Sequence, residues 1–285
     1  MLRSLKDLEN FSIAATDGPI GQVKDFYFDD DAWAIRYLVV ETGSWLDSRQ
    51  VLISPIAIHQ PDWAGRTLPV SITQAQVSHC PGIDTDRPVS RQQESDHLGH
   101  YGYPVYWGSR GLWGEGLYPN ALRPGFAGHG IDGIDGIDGA ERQREQAAFA
   151  QAWQARHRQD DPHLRNGKSV IGHHIQAIDG EIGHVDGLLV DQETWAIRYL
   201  VANISSWWVG QQVLVAPRWI TGVHWSDQSV SVDLTRAAIQ QAPRYDASAE
   251  LNRQLEMGPH DHHDHYAHHV RDGCRADGVR IEPSV

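Results

Sequence analysis

The chain contains itself twice. Asp17-Gly18-Pro19-Ile20-Gly21 returns as Asp179-Gly180-Glu181-Ile182-Gly183, and Trp33-Ala34-Ile35-Arg36-Tyr37-Leu38-Val39 returns unchanged as Trp195-Ala196-Ile197-Arg198-Tyr199-Leu200-Val201. The offset is 162 and holds without a gap: Gln50-Val51-Leu52 meets Gln212-Val213-Leu214, and Pro55, Trp63 and Thr73 meet Pro217, Trp225 and Thr235. Farther on, Pro81 meets Pro243, Asp84 meets Asp246 and Arg91 meets Arg253. A repeat of this length means two copies of one small domain.

Within each copy the pattern is that of short strands. Phe11 to Thr16 is apolar and runs into the Asp17-Gly18 turn. Ile20 to Asp29 alternates, with Lys24, Phe26 and Phe28 on one side and Val23, Asp25 and Tyr27 on the other. Ala34 to Thr42 is β-branched and aromatic and suits a central strand. Val51 to Ser54 is stopped by Pro55, Leu68 to Ile72 is a fifth strand, and Thr73 N-caps a short helix to about Ser78. The second copy follows the same scheme from Ile175 to Leu234, with its helix from Thr235 to about Gln241. Strands this short and close, split by Gly, Pro and Asp turns, predict a small barrel, which also removes exposed sheet edges.

The expected fold is therefore mainly β: two tandem small barrels, each followed by a short helix. Repeat 1 spans 1–80 and repeat 2 spans 163–243. A linker over 81–162 and a tail over 244–285 complete the chain. The linker carries Tyr101, Tyr103, Tyr106, Trp107, Trp113 and Tyr118 among Gly and Pro, which suits a loosely ordered segment that adheres to a surface. Its Ile-Asp-Gly triplets over 131–139 read as a mobile spacer, and a polar helix is expected near 140–158. The tail is His-rich and is expected to be disordered.

The paired segments Asp17–Gly21 and Trp33–Val39, followed by Val51-Leu52-Ile53-Ser54-Pro55, resemble the PRC-barrel family. That family includes the cytoplasmic domain of the photosynthetic reaction-centre H subunit and the C-terminal domain of ribosome-maturation factors. The second copy is similar at Asp179–Gly183, Trp195–Val201 and Val213-Leu214-Val215-Ala216-Pro217, and the chain looks like the tandem PRC-barrel proteins of bacteria. The resemblance implies a strongly bent small barrel in each half. It also implies binding and assembly, with no shared catalytic constellation. Two departures stand out: the membrane helix of the H subunit and the N-terminal barrel of the maturation factors are both absent from the pattern.

Composition narrows the partners. A net charge of −13 argues against nucleic acid and anionic lipid, although seventeen histidines would erase much of that charge in mild acid. Cys80 and Cys274 occupy unmatched positions and define neither a disulfide framework nor a zinc site. Met1 to Asp7 lacks the apolar run of a signal peptide, and no stretch approaches a membrane span, so a cytoplasmic protein is expected.

Candidate residues carry a bland and a sharp reading each. Arg36 and Arg198, inside apolar strands, either anchor an acidic partner or pair locally with Asp29 and Asp191; local pairing is preferred. Trp33 and Trp195 serve as interface anchors or close the ends of the barrels, and Trp45 and Trp207 join them as interaction candidates. Asp17-Gly18 is a turn rather than a phosphate loop, because no helix begins there. His260, His262, His263, His265, His268 and His269 are expected to bind zinc or nickel weakly, with no defined tetrahedral site. His173, His174 and His184 form a weaker surface cluster. Asp132, Asp135 and Asp138 lack the spacing of a calcium loop. No nucleophile motif, Walker loop or His-Glu-x-x-His is present, so no enzymatic activity and no certain cofactor are expected.

The leading expectation is a non-enzymatic protein-interaction and assembly module, with the two copies packing as a pseudo-dimer or the chain as a homo-oligomer. Two alternatives stand beside it. One is a peripheral accessory protein of photosynthetic electron transport, docked on a membrane complex. The other is a metal-binding protein working through its His-rich tail.

Overall fold

The computed structural model describes residues 1–82, 89–108, 111–124, 164–206, 209–242 and 244–245. The expected helix near 140–158, Trp207 and the six tail histidines lie outside the described residues. The first copy runs through β1 (Leu2–Ser4), α1 (Leu5–Leu8), β2 (Ser12–Ala15), β3 (Gly18–Asp29), β4 (Ala34–Thr42), β5 (Gln50–Ile53), β6 (Thr67–Pro69) and α2 (Gln74–Ser78), then α3 (Arg91–His100). The second follows the same order with one strand more, β12: β7 (Leu164–Asn166), α4 (Gly167–Val170), β8 (His174–Ala177), β9 (Gly180–Asp191), β10 (Ile197–Ser206), β11 (Val209–Val215), β12 (Ile220–His224), β13 (Ser229–Val232) and α5 (Arg236–Gln240). The protein is mainly β, as expected.

Local chemistry accounts for the element ends. Thr73 caps α2 through a full capping box with Gln76, and Thr235 accepts from Ala238 N at the start of α5. Asp17 and Asp179 add a second cap from outside: each Oδ1 accepts from the first helical amide, Gln74 N at 2.8 Å and Arg236 N at 2.7 Å. The repeated Asp therefore ties a hairpin turn to a helix 57 residues away.

The sheets correct one expectation. Strand order is β5-β4-β3-β2-β6 in the first and β11-β10-β9-β8-β13-β12 in the second, and among the described residues neither path closes into a barrel. The long strand β3 pairs with three other strands. Bulges between Val23 and Asp25 and between Tyr27 and Phe28 bend it. Its first half pairs with β2, and the far end at Tyr27–Asp29 pairs with β7. Beyond the end of β2, that side of β3 is paired by the added strand β7.

The simple alternation expected along β3 also fails at its end. Phe26, Tyr27 and Phe28 are all buried. Tyr27 packs with Tyr37, Val39, Leu52, Val89 and Leu164, so this sheet has a second apolar layer on its other face.

The described residues cluster into two compact units. One holds the described residues of 3–169 with Val190–Arg198; the other holds Met1–Leu2, Val170–Leu189 and the described residues from Tyr199 to Tyr245. Each unit thus takes segments from both copies of the repeat. At the offset of 162, β1 and β7 are counterparts, yet β7 pairs with β3 and β1 pairs with β9. No helix among the described residues is long and apolar enough to cross a membrane.

Candidate functional site

The unit that contains β3 and β4 holds a cluster of buried charge. Arg36 lies on β4, buried with Asp29 at the end of β3, and the two pair at 3.6 Å. That is the local partner its strand position suggested. The Asp29 carboxylate also receives Arg91 Nη2 at 3.3 Å, while its other oxygen caps the turn through Asp31 N and Ala32 N. Arg91 opens α3 and reaches Glu94 Oε1 at 2.9 Å and Tyr106 Oη at 3.0 Å. Tyr106 donates to the other Glu94 oxygen in a short hydrogen bond. Two guanidinium groups and two carboxylates therefore share one largely buried site.

The lid over this cluster comes from the aromatic segment. Tyr106 and Trp113 stack on the Arg36 guanidinium, with ring centroids 3.9 and 4.7 Å from Cζ, and Trp107 lies 4.9 Å from Arg91 Cζ. Arg36 Nη1 donates to Leu112 O at 2.7 Å, and Trp113 Nε1 donates to Thr194 O at 2.8 Å. The expectation of a loosely ordered segment is thereby corrected for residues 101–108 and 111–116. Tyr101, Tyr103, Tyr106, Trp107 and Trp113 are buried, because ring burial and cation–π contact outweigh the freedom of the intervening glycines. Residues 111–116 close on themselves through Gly111–Gly114 and Trp113–Gly116 bridges.

Burial pushes the Glu94 carboxyl up to about 7, with Arg91 and Tyr106 pulling the other way. For Asp29, burial pushes up, but Arg36 and Arg91 outweigh it and hold the carboxyl below 3.8. One turn along α3, His97 is fully buried, and its Nδ1 lies 3.2 Å from the Cys80 thiol. Burial pushes this imidazole down to about 3 and the Cys80 thiol up. The pair is a neutral thiol beside a neutral imidazole, the wrong protonation for a nucleophilic dyad.

These shifts carry opposite signs in stability. Glu94 binds its proton more tightly folded than unfolded, so its contribution is complete below 4.5 and is lost as pH rises through about 7. His97 is depressed, so its contribution is present above 6.5 and is lost as pH falls towards about 3. The slopes oppose each other between these limits. Glu94→Gln removes one of them, and its unfolding free energy is expected to climb from pH 5 to 7, at up to about 1.4 kcal/mol per pH unit, more steeply than wild type. Urea midpoints taken across that range check this; parallel wild-type and variant curves would refute it.

The other candidate residues are placed as follows. Trp33 and Trp195 are buried, both with positive φ, at 49° and 59°. They exchange backbone hydrogen bonds reciprocally: Ile197 N donates to Trp33 O at 2.7 Å and Ile35 N to Trp195 O at 2.8 Å. Arg198 is exposed, unlike its counterpart Arg36. Asp191 instead accepts from Glu193 N and from Thr194 N and Oγ1. Trp45 stands on a single 3-10 turn after β4, 36% exposed, with its Nε1 donating to Ile20 O at 2.7 Å. His173 is buried against Trp225, while His174 is exposed and pairs with Glu181 at 2.8 Å. The carboxylates of Asp29, Asp30 and Asp31 lie close together, but Asp29 is held by two arginines and Asp30 by Arg165 at 3.2 Å.

Sequence reasoning missed Arg91 and Glu94 as members of this cluster. The signal was present. The repeat carries Asp29, Arg36, Arg91 and Glu94 onto Asp191, Arg198, Arg253 and Glu256, the last two outside the described residues. The recurrence singled out these four charges, although in the second copy Arg198 is exposed and Asp191 is held by Thr194 instead.

The fold and its buried cluster describe a small, bent β module completed by added segments rather than by closure of its own sheet. Residues 2–69 match the family model of the PRC-barrel domain, so this part of the chain is similar to that domain. No curated protein matches the chain significantly.

Proposed function

We propose that this chain is a non-enzymatic interaction protein of the cytoplasm, with two PRC-barrel modules in tandem that present aromatic loops to a protein partner. The observation that carries this reading is Trp45. A large ring left at the surface costs solvation, and its indole nitrogen is fixed by Ile20 O rather than left to water. Trp is among the side chains enriched at the energetic centre of protein interfaces. The repeat places Trp207 at the same position of the second copy, outside the described residues. Two such loops on one chain would raise affinity for a target with two matching sites through effective concentration. The arginine cluster supports the same reading, because its charges are spent on holding the module together.

The double variant Trp45→Ala/Trp207→Ala tests it. Cross-linked capture from native cells is expected to lose its principal partner by tenfold or more, in line with the loss of hot-spot side chains of about 2 kcal/mol. Folding stability should fall by only about 1 kcal/mol for the lost Nε1 bond at Trp45. Equal capture by the variant and the wild type would overturn the proposal.

A further inference from the structure

The unit built on β3 and β4 is completed by residues from far along the chain. β7 supplies three paired residues, Asn166, Arg165 and Leu164, opposite Tyr27, Phe28 and Asp29. Arg165 pairs with Asp30 at 3.2 Å, and Leu164 is fully buried in the second apolar layer. Trp195 and Ile197 add the reciprocal backbone bonds to Ile35 and Trp33, and Thr194 receives the Trp113 indole. Between residue 124 and β7 stand 39 residues, 125–163.

Nothing in this joint requires both sides to belong to one molecule. β1 reads Leu2-Arg3-Ser4 and β7 reads Leu164-Arg165-Asn166, so the strand that docks is nearly the same in both copies. We propose that a second copy of this chain fits the same edge. Residues 164–169 and 190–198 of one molecule complete the unit of the other, and the reciprocal exchange closes a two-fold dimer. Every hydrogen bond and ion pair of the joint is reproduced between molecules, and no new surface is required. Only the tether differs. The effective concentration it imposes falls with its length, so high protein concentration shifts the balance towards exchange. Once formed, the exchanged dimer separates only by opening buried contacts and therefore persists on dilution. This inference is independent of the Trp45 reading.

The test uses the full chain. Wild type is unfolded in urea, refolded at low and at high micromolar concentration, and weighed by light scattering during size exclusion. The expected result is a species of twice the chain mass that grows with refolding concentration and survives dilution. Monomer at every concentration, or a dimer that dissociates immediately on dilution, overturns the proposal. A charge exchange identifies the joint. Asp30→Arg alone sets Arg against Arg165, and Arg165→Asp alone sets Asp against Asp30. Refolded together, the two chains meet as complementary pairs at both joints, and the mixed dimer is expected to exceed either homodimer about tenfold. A statistical mixture of the two chains places any dimer at another surface and overturns the assignment.

Discussion

Asp29→Ala is expected to destabilise the protein by about 3 kcal/mol, because it leaves the buried Arg36 guanidinium without its counter-charge and the part-buried Arg91 with one fewer. Asp29 is the shared carboxylate of Arg36 and Arg91 and also caps its own turn. Arg36 is buried against Tyr106 and Trp113, and Arg91, 15% exposed, is held among Glu94, Tyr106 and Trp107. Removing one member of a buried set costs much more than the set contributes, since the desolvated partners keep their charge. The loss should be visible in urea denaturation followed by far-ultraviolet circular dichroism. It should come with early exposure of the Trp107 and Trp113 fluorophores, because the aromatic lid is held through Arg36. A loss below 1 kcal/mol would mean that the cluster relaxes around the gap and does not hold the lid. Asp29 also sets an acid limit. With its folded value depressed, its contribution is present above the ordinary carboxylate range and disappears as pH falls through the folded value.

Gly21→Ala is the second large effect, about 3 kcal/mol, at the upper end for overpacking. A Cβ on Gly21 would stand 1.9 Å from Glu41 O and 2.8 Å from Thr42 Cα. Both are backbone atoms of β4, directly opposite in the ladder where Gly21 pairs with Thr42. No side chain can rotate away, so the β3–β4 ladder itself must part. Gly183 meets Asn203 O at 2.1 Å in the second copy, and the same substitution there should behave alike. Gly99→Ala is the control. It lies in α3 with open space around its Cβ and is expected to stabilise by about 0.5–1 kcal/mol. Thermal or urea unfolding of the three variants separates the cases, and a Gly21→Ala protein as stable as Gly99→Ala would refute the close-approach argument.

The arginine cluster shows where reading along the chain stops. Arg36 with Asp29 was accessible, because the two lie close in sequence at the end of one hairpin and a charged residue inside an apolar strand demands a partner. Arg91, Glu94 and Tyr106 were not, because the residues between 80 and 120 look like a Gly- and aromatic-rich connection. Nothing local says which rings will cover which charge. The burial of Trp113 and the bond from its indole to Thr194 join positions 81 residues apart. Conversely, the Asp17 and Asp179 carboxylates read as turn residues, and their second role as caps of α2 and α5 depends on a contact across 57 residues.

By itself the sequence determined that one pattern of short strands occurs twice, where most of those strands lie, and that Thr73 and Thr235 begin helices. These are matters of periodicity, turn chemistry and capping, all short-range. The tertiary structure alone decided that the sheets stay open, that β7 rather than β1 lies against β3, and that the aromatic segment is a lid on buried charge. The reason is physical. Leu2-Arg3-Ser4 and Leu164-Arg165-Asn166 have the same local preferences, so only the contacts available at each sheet edge can distinguish them. Likewise, an arginine and a ring carry no instruction to meet until folding removes both from water.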